Sequence, residues 1–298
     1  MRFSIIIPSW NNLKYLELCI NSIKKNSNFE HDINVHLNEG IDGSSDFLKK
    51  NNIKFNISDK NVGLCSGANS AALLAETNYI VYSHDDMYFL PNWDIFLKDE
   101  VNKLNNNLYY FSGTAIGPIG SGLQNKETSD LTPSEYKNFD FDCGKNIDTF
   151  DEKKLLDNYK KVKYFDHQGS HWAPHLVHKS TWFGVGGFSE EFDPGFASDT
   201  DFNMKLWKHG VRIFKGINNS RVYHFGSMTT RKRENLKKNK GNKLFLTKWT
   251  ISSNLFLKHY LKSNTQYDGP LNSKPNLTIK YIIEFIFCKI KYFLIKII

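Results

Sequence analysis

Phe3-Ser4-Ile5-Ile6-Ile7-Pro8, followed by residues 13–25 with Leu13, Leu16, Ile20 and Ile23 at helical spacing, is the stretch that decides the fold. A short unbroken apolar run suits a strand buried on both faces, and a three-to-four residue apolar spacing suits a helix laid against it. The pattern repeats outward: a strand at 33–37, a short helix at 45–51, a strand at 54–57, an Ala-rich helix at 67–76 and a strand at 79–83. Such alternation predicts an α/β domain with a Rossmann-like, mostly parallel sheet flanked by helices and joined by right-handed crossovers. Ligands of these sheets gather beyond the carboxyl ends of the strands, so residues 8–12, 38–42 and 84–87 should face one crevice.

Past Pro91 the sequence predicts a helix at 93–104 and an apolar segment at 108–116, then a polar insertion over about 118–165. A strand at 173–178, a Gly186-Gly187 turn, a helix at 201–209 and strands at 211–214 and 221–224 close the domain. The division is therefore a main domain at 1–228, a helical extension at 229–275 and an amphipathic tail helix at 276–298, with no internal repeat. A chain of 298 residues is long enough for one large α/β domain with an appendage. The net charge of +8 suits anionic membranes, phosphorylated substrates or nucleic acid, and only the chemistry of the site separates these. Cys19, Cys65, Cys143 and Cys288 form no C-x-x-C pair, as in a reducing compartment, and the apolar start is too short for a secretory signal. A cytoplasmic location is expected.

Tyr82-Ser83-His84-Asp85-Asp86-Met87 carries the chemistry. Adjacent carboxylates at the end of an apolar strand are costly unless a cation or hydrogen-bond donors neutralise them. Mg²⁺ or Mn²⁺ would suit them, being commonly shared between carboxylates and substrate phosphates. The plainer alternative is a polar turn in which Asp86 caps the following helix.

Six blocks follow one another along the chain: Ser4-Ile5-Ile6-Ile7-Pro8-Ser9-Trp10-Asn11-Asn12; Asp42-Gly43-Ser44; Asn61-Val62-Gly63 with Gly67-Ala68-Asn69; His84-Asp85-Asp86; Gly186-Gly187-Phe188-Ser189-Glu190-Glu191-Phe192 with Ser198-Asp199-Thr200-Asp201; and His224. In this order they resemble the inverting glycosyltransferases of family 2, which have the GT-A fold. The resemblance spans about residues 3–230. It implies that Asp199 is the general base, with Asp201 as runner-up or merely a first-turn helix charge. It also implies that Asp86, supported by Asp85 and His224, holds the divalent cation, although His224 reads equally well as a structural residue. Pro8, Ser9, Asn11, Asn61, Gly63, Asn69 and Asp85 are the implied nucleotide-sugar contacts, joined by Arg231 from a basic run that could close on the diphosphate. Asp193 reads only as a turn residue beside Pro194-Gly195.

The chain departs from the family pattern where paired Asp residues are usual, offering Asn38 and Glu39. An Asn38 carbonyl could accept from uracil and a Glu39 carboxylate from guanine, so the donor is expected to be UDP- or GDP-linked; the alternative reading of both residues is as turn formers. Trp172 and Trp182 are candidates for the acceptor site, or else part of the core. The implied activity moves one sugar from a nucleoside-diphosphate sugar to a hydroxyl of a glycan or lipid-linked acceptor, as in polysaccharide biosynthesis. The Q-x-x-R-W motif of processive synthases is absent. No G-x-G-x-x-G or basic Gly-rich loop follows the first strand, which argues against dinucleotide oxidoreductases and nucleotidyltransferases. The rival from another class is a non-catalytic sugar- or nucleotide-binding protein with a GT-A-like fold. A nucleic-acid partner is not expected of an acidic site.

In the tail, Ile279, Ile282, Ile283, Ile286, Ile290, Phe293, Leu294 and Ile297 share one side of a helical wheel, with lysines, Glu284, Tyr281 and Tyr292 opposite. Charges interrupt it too often for a spanning helix. An interfacial helix on the anionic inner membrane face is expected, with docking on the main domain or on a second subunit as alternatives.

Overall fold

Strand β1 (Ser4–Trp10) runs through the middle of the sheet with Ile5, Ile6 and Ile7 removed from solvent, as its unbroken apolar run requires. In the computed structural model, which describes residues 1–118, 143–161, 165–226 and 240–297, helices and strands then alternate. They are α1 (Leu13–Asn26), β2 (Asp32–Asn38), α2 (Ser44–Lys50), β3 (Lys54–Ser58), α3 (Leu64–Ala72), β4 (Tyr79–Tyr82), β5 (Met87–Phe89), α4 (Trp93–Asn102) and β6 (Tyr109–Ile116). There follow α5 (Glu152–Asn158), β7 (His167–Gln168), β8 (His175–His178), α6 (Lys179–Gly184), α7 (Ser198–Lys208), β9 (Ile213–His224), α8 (Lys240–Trp249) and α9 (Ile279–Ile297).

The strand order is β3-β2-β1-β4-β8-β6-β9-β5, with β7 paired to β9. β1 to β4, β6 and β9 run one way, and β5, β7 and β8 run against them, so the sheet is mostly parallel. Three local differences from the expected pattern shape the site. α3 starts at Leu64, ahead of its Ala-rich run, because Gly63 at φ +104° turns the chain into it and Asp193 accepts from its first amides. α7 starts at Ser198, which puts Asp199 in its first turn. The two strands expected at 211–214 and 221–224 are the single strand β9, whose pairing with β6 shifts register between Gly113 and Thr114 and so absorbs Asn218, Asn219 and Ser220 without a break.

Apolar side chains from Phe3 to Cys288 form one continuous core, so the helices beyond residue 240 pack on the same body as β1. Residues 119–142 and 162–164 of the expected insertion lie outside the described residues. Its described remainder covers α1 through Tyr15 Oη, which accepts from Ile147 N at 3.1 Å, and through the Lys25–Glu152 ion pair at 2.8 Å. Among the described residues no helix is long and apolar enough to cross a membrane.

Trp182, entered above as an acceptor contact, is fully buried between Phe188 and Phe202, with ring centroids 5.4 and 5.0 Å away. It therefore presents no face to a ligand. Removing it leaves a core cavity: Trp182→Ala should lower the unfolding free energy by about 3–5 kcal/mol in denaturant titrations.

Candidate active site

The carboxyl ends of β1, β2 and β4 open on one cavity of about 260 Å³, lined among others by Ser9, Asn38, His84, Asp85, Asp86 and Asp199. This is where the strand order turns from β1 outward in both directions, the position such a sheet leaves free for a ligand. Asp85 and Asp86 lie just past β4, after Ser83 and His84, and are 7% and 3% exposed. Ser9 Oγ, from the end of β1, donates to Asp85 Oδ2 at 2.7 Å. Burial first, and the adjacent Asp86 second, push the Asp85 carboxyl above the usual carboxylate range.

Asp86 is fixed from the other side. β5 pairs antiparallel with β9 so that Met87 stands opposite His224, and Phe225 N donates to the Asp86 carbonyl at 3.1 Å. His224 Nε2 thereby comes within 3.1 Å of Asp86 Oδ1 and 3.4 Å of His84 Nδ1. One donor atom each from His84, Asp86 and His224 lies within 4.8 Å of the others, close enough to share one cation. Burial, then His224, holds the His84 imidazole down to about 4, so near neutral pH it is uncharged and one of its ring nitrogens carries a lone pair. His84 was missed in the sequence, where its place at the head of a His-Asp-Asp triplet after a strand was the available signal.

Asp199 lines the opposite wall from the first turn of α7, and its Oδ1 is buried with no hydrogen-bond partner among the described residues. Burial pushes its carboxyl up to about 7, against the opposing pull of His224. Asp201 is engaged instead in structure. It is fully buried and accepts from Ser189 Oγ at 2.6 Å and Trp249 Nε1 at 2.7 Å, with Lys248 Nζ 3.0 Å away. Asp193 is more than a turn residue, since it accepts from Cys65 N and Ser66 Oγ, each at 2.7 Å, at the start of α3. That clamp brings Pro194, Gly195 and Phe196 to the cavity wall. A Cβ at Gly63 would come within 2.2 Å of Asp193, so the clamp requires glycine there.

Pro8, Asn61 and Gly63 also line the cavity, whereas three expected nucleotide contacts do not. Asn11 donates to Glu39 Oε2 at 2.9 Å and accepts from Ile41 N, which spends its amide on the loop. Glu39 Oε2 also accepts from Trp10 Nε1 at 2.7 Å, so Glu39 supports the Trp10 ring that faces the cavity instead of facing it itself. Asn69 exchanges two 2.8 Å hydrogen bonds with the backbone of Phe188. Trp172 stacks on His167 at 4.8 Å and donates to Gly113 O, away from the cavity. Arg231 lies outside the described residues.

An open α/β sheet with buried acids at its switch point and a facing acidic helix start defines a protein of the GT-A class. The chain belongs to glycosyl transferase family 2, whose profile matches residues 4–168, more than half of its length. No curated protein matches the sequence. Among solved structures it is similar to S. aureus TarS 1–349 in complex with UDP, at a TM-score of 0.53 and 14% identity over 75% of this chain and 60% of that one. It is likewise similar to GalNAc-T7 with UDP, GalNAc and Mn²⁺, at 0.53 and 15%, over 75% of this chain and 44% of that one. The chain thus spans about three fifths of the TarS chain.

The Asp193 clamp makes a local prediction. Asp193→Ala should cost about 1–2 kcal/mol and speed amide exchange at Cys65 and Ser66, read by hydrogen–deuterium exchange.

Proposed function

We propose that the protein transfers one sugar, with inversion, from a nucleoside-diphosphate sugar to a hydroxyl of a glycan or lipid-linked acceptor in the cytoplasm. The observation that carries this reading is the single cavity shared by Ser9, Asn38, Asp85, Asp86 and Asp199. Of the two candidates for reading the base, only Asn38 lines it; Asn38 Oδ1 accepts from Val62 N at 2.8 Å and keeps a lone pair for a uracil N–H. UDP-sugars are therefore the donors of first choice, in keeping with the UDP and UDP-GlcNAc complexes of TarS.

His84, Asp86 and His224 would hold a divalent cation. One carboxylate and two imidazoles suit Mn²⁺ better than Mg²⁺, which prefers an all-oxygen shell, and GalNAc-T7 was solved with Mn²⁺. When bound, the cation supplies charge compensation for the departing diphosphate. Asp199 takes the proton of the acceptor hydroxyl as that oxygen bonds to the anomeric carbon, while the anomeric C–O bond breaks and its electron pair leaves with the diphosphate. Attack from the face opposite the leaving group inverts the anomeric centre.

The ionised carboxylate is the working base. With Asp199 held at about 7, kcat should fall as pH drops through that value, and Asp199→Asn should lower kcat by about 10²–10⁴-fold above it, with the deficit shrinking as the wild type loses its own base at lower pH. The deciding experiment measures binding and turnover of UDP-, GDP-, CMP- and dTDP-sugars with and without Mn²⁺, on the wild type and Asp86→Ala. Mn²⁺-dependent turnover of one donor, lost in the variant, supports the proposal; binding without turnover, indifferent to Mn²⁺, identifies a non-catalytic binding protein.

A further inference from the structure

α9 packs on the domain through one face only. Tyr281 and Cys288 are buried there, and Ser252 N donates to Cys288 Sγ at 3.4 Å. Glu284, the one acid of the helix, is paired inward with Lys258 and with His259 Nε2, the latter at 2.7 Å. The opposite face is bare. Ile282, Ile283, Ile286, Ile290, Phe293 and Leu294 stand between 45% and 60% exposed along it.

At 3.6 residues per turn these side chains form one continuous apolar arc. Lysines bracket it on both margins: Lys280 and Lys291 on one side, Lys289 and Lys296 on the other. Lys280, Lys291 and Lys296 are exposed, and Lys289 Nζ donates to Thr250 Oγ1 at 2.7 Å. Bare apolar surface of this extent marks an interaction site. The charge pattern selects its occupant. A second copy laid on this face would set lysines against lysines with no acid to match them, whereas lipid phosphates beside an acyl layer satisfy both the margins and the arc.

We propose that α9 is a membrane-surface helix that lies in the plane of an anionic bilayer, its isoleucine face in the acyl boundary and its lysines at the phosphates. This would hold the domain at a lipid surface through contacts that take no part in sugar transfer. It stands independently of the transferase reading, because vesicle binding is measured without a donor.

The test is co-sedimentation of the full-length chain with neutral phosphatidylcholine vesicles and with vesicles containing about 30% phosphatidylglycerol, at low and high salt. Capture by the anionic vesicles alone, weakened by salt, is expected. K280Q/K291Q should reduce partitioning about thirtyfold, and I286D/I290D should abolish it, with the melting temperature of both variants near that of the wild type. A wild-type chain that stays in solution with every vesicle overturns the proposal. So does a chain that elutes as a dimer, dissociated by I286D/I290D, without vesicle binding, which would assign the face to a second copy.

Discussion

Burying Asp85 and Asp86 side by side takes two charges out of water, at a cost of several kcal/mol for each ion left uncompensated. The end of β4 is arranged around offsetting that cost. Ser9 reaches Asp85 from β1, and His224 reaches Asp86 from the far end of β9, carried there by the β5–β9 pairing. Strands distant in sequence must be in register before Ser9 and His224 both reach the acidic pair. The sheet order, with β1 beside β4 and β9 beside β5, is the solution to that requirement. A cation shared by His84, Asp86 and His224 would complete the compensation, which ties ligand binding to the same electrostatic problem as folding.

The second wall of the cavity rests on residues outside the family match. α7, which carries Asp199, is tied through buried Asp201 to Lys248 and Trp249 at the end of α8. Lys248 also pairs with Glu191 at 2.7 Å, and Gly241 packs so closely on the Phe196 backbone that a Cβ there would lie 2.2 Å from its carbonyl oxygen. The helical extension therefore braces the wall against which an acceptor would sit. With α9 on the same core, the segment after residue 240 joins the cavity to a lysine-bordered apolar face.

Much of this was legible beforehand. The elements up to β4 fall within a few residues of their expected positions, because periodicity of apolar residues is a local property. The convergence of residues 8–12, 38–42 and 84–87 followed from the crossover rule for parallel sheets, and the cavity lined by Pro8, Ser9, Asn38, His84 and Asp85 agrees with it. His84 went unread because a histidine between an apolar strand and two acids signals nothing until a partner such as His224 stands beside it.

The sequence by itself determined the strand–helix order, the position of the acids at a strand end and the amphipathic tail. Only the tertiary structure decided which polar side chains face the cavity. Asn38 and Glu39 are adjacent, yet Glu39 sits at φ +67° and turns to Trp10 and Asn11 while Asn38 stays on the cavity wall. Asp199 and Asp201 share a helix turn, yet one lines the cavity and the other is sealed by Ser189, Lys248 and Trp249. Residue type and spacing fix what a side chain can do, but its direction and partners depend on backbone torsions and on contacts made between residues tens to hundreds of positions apart.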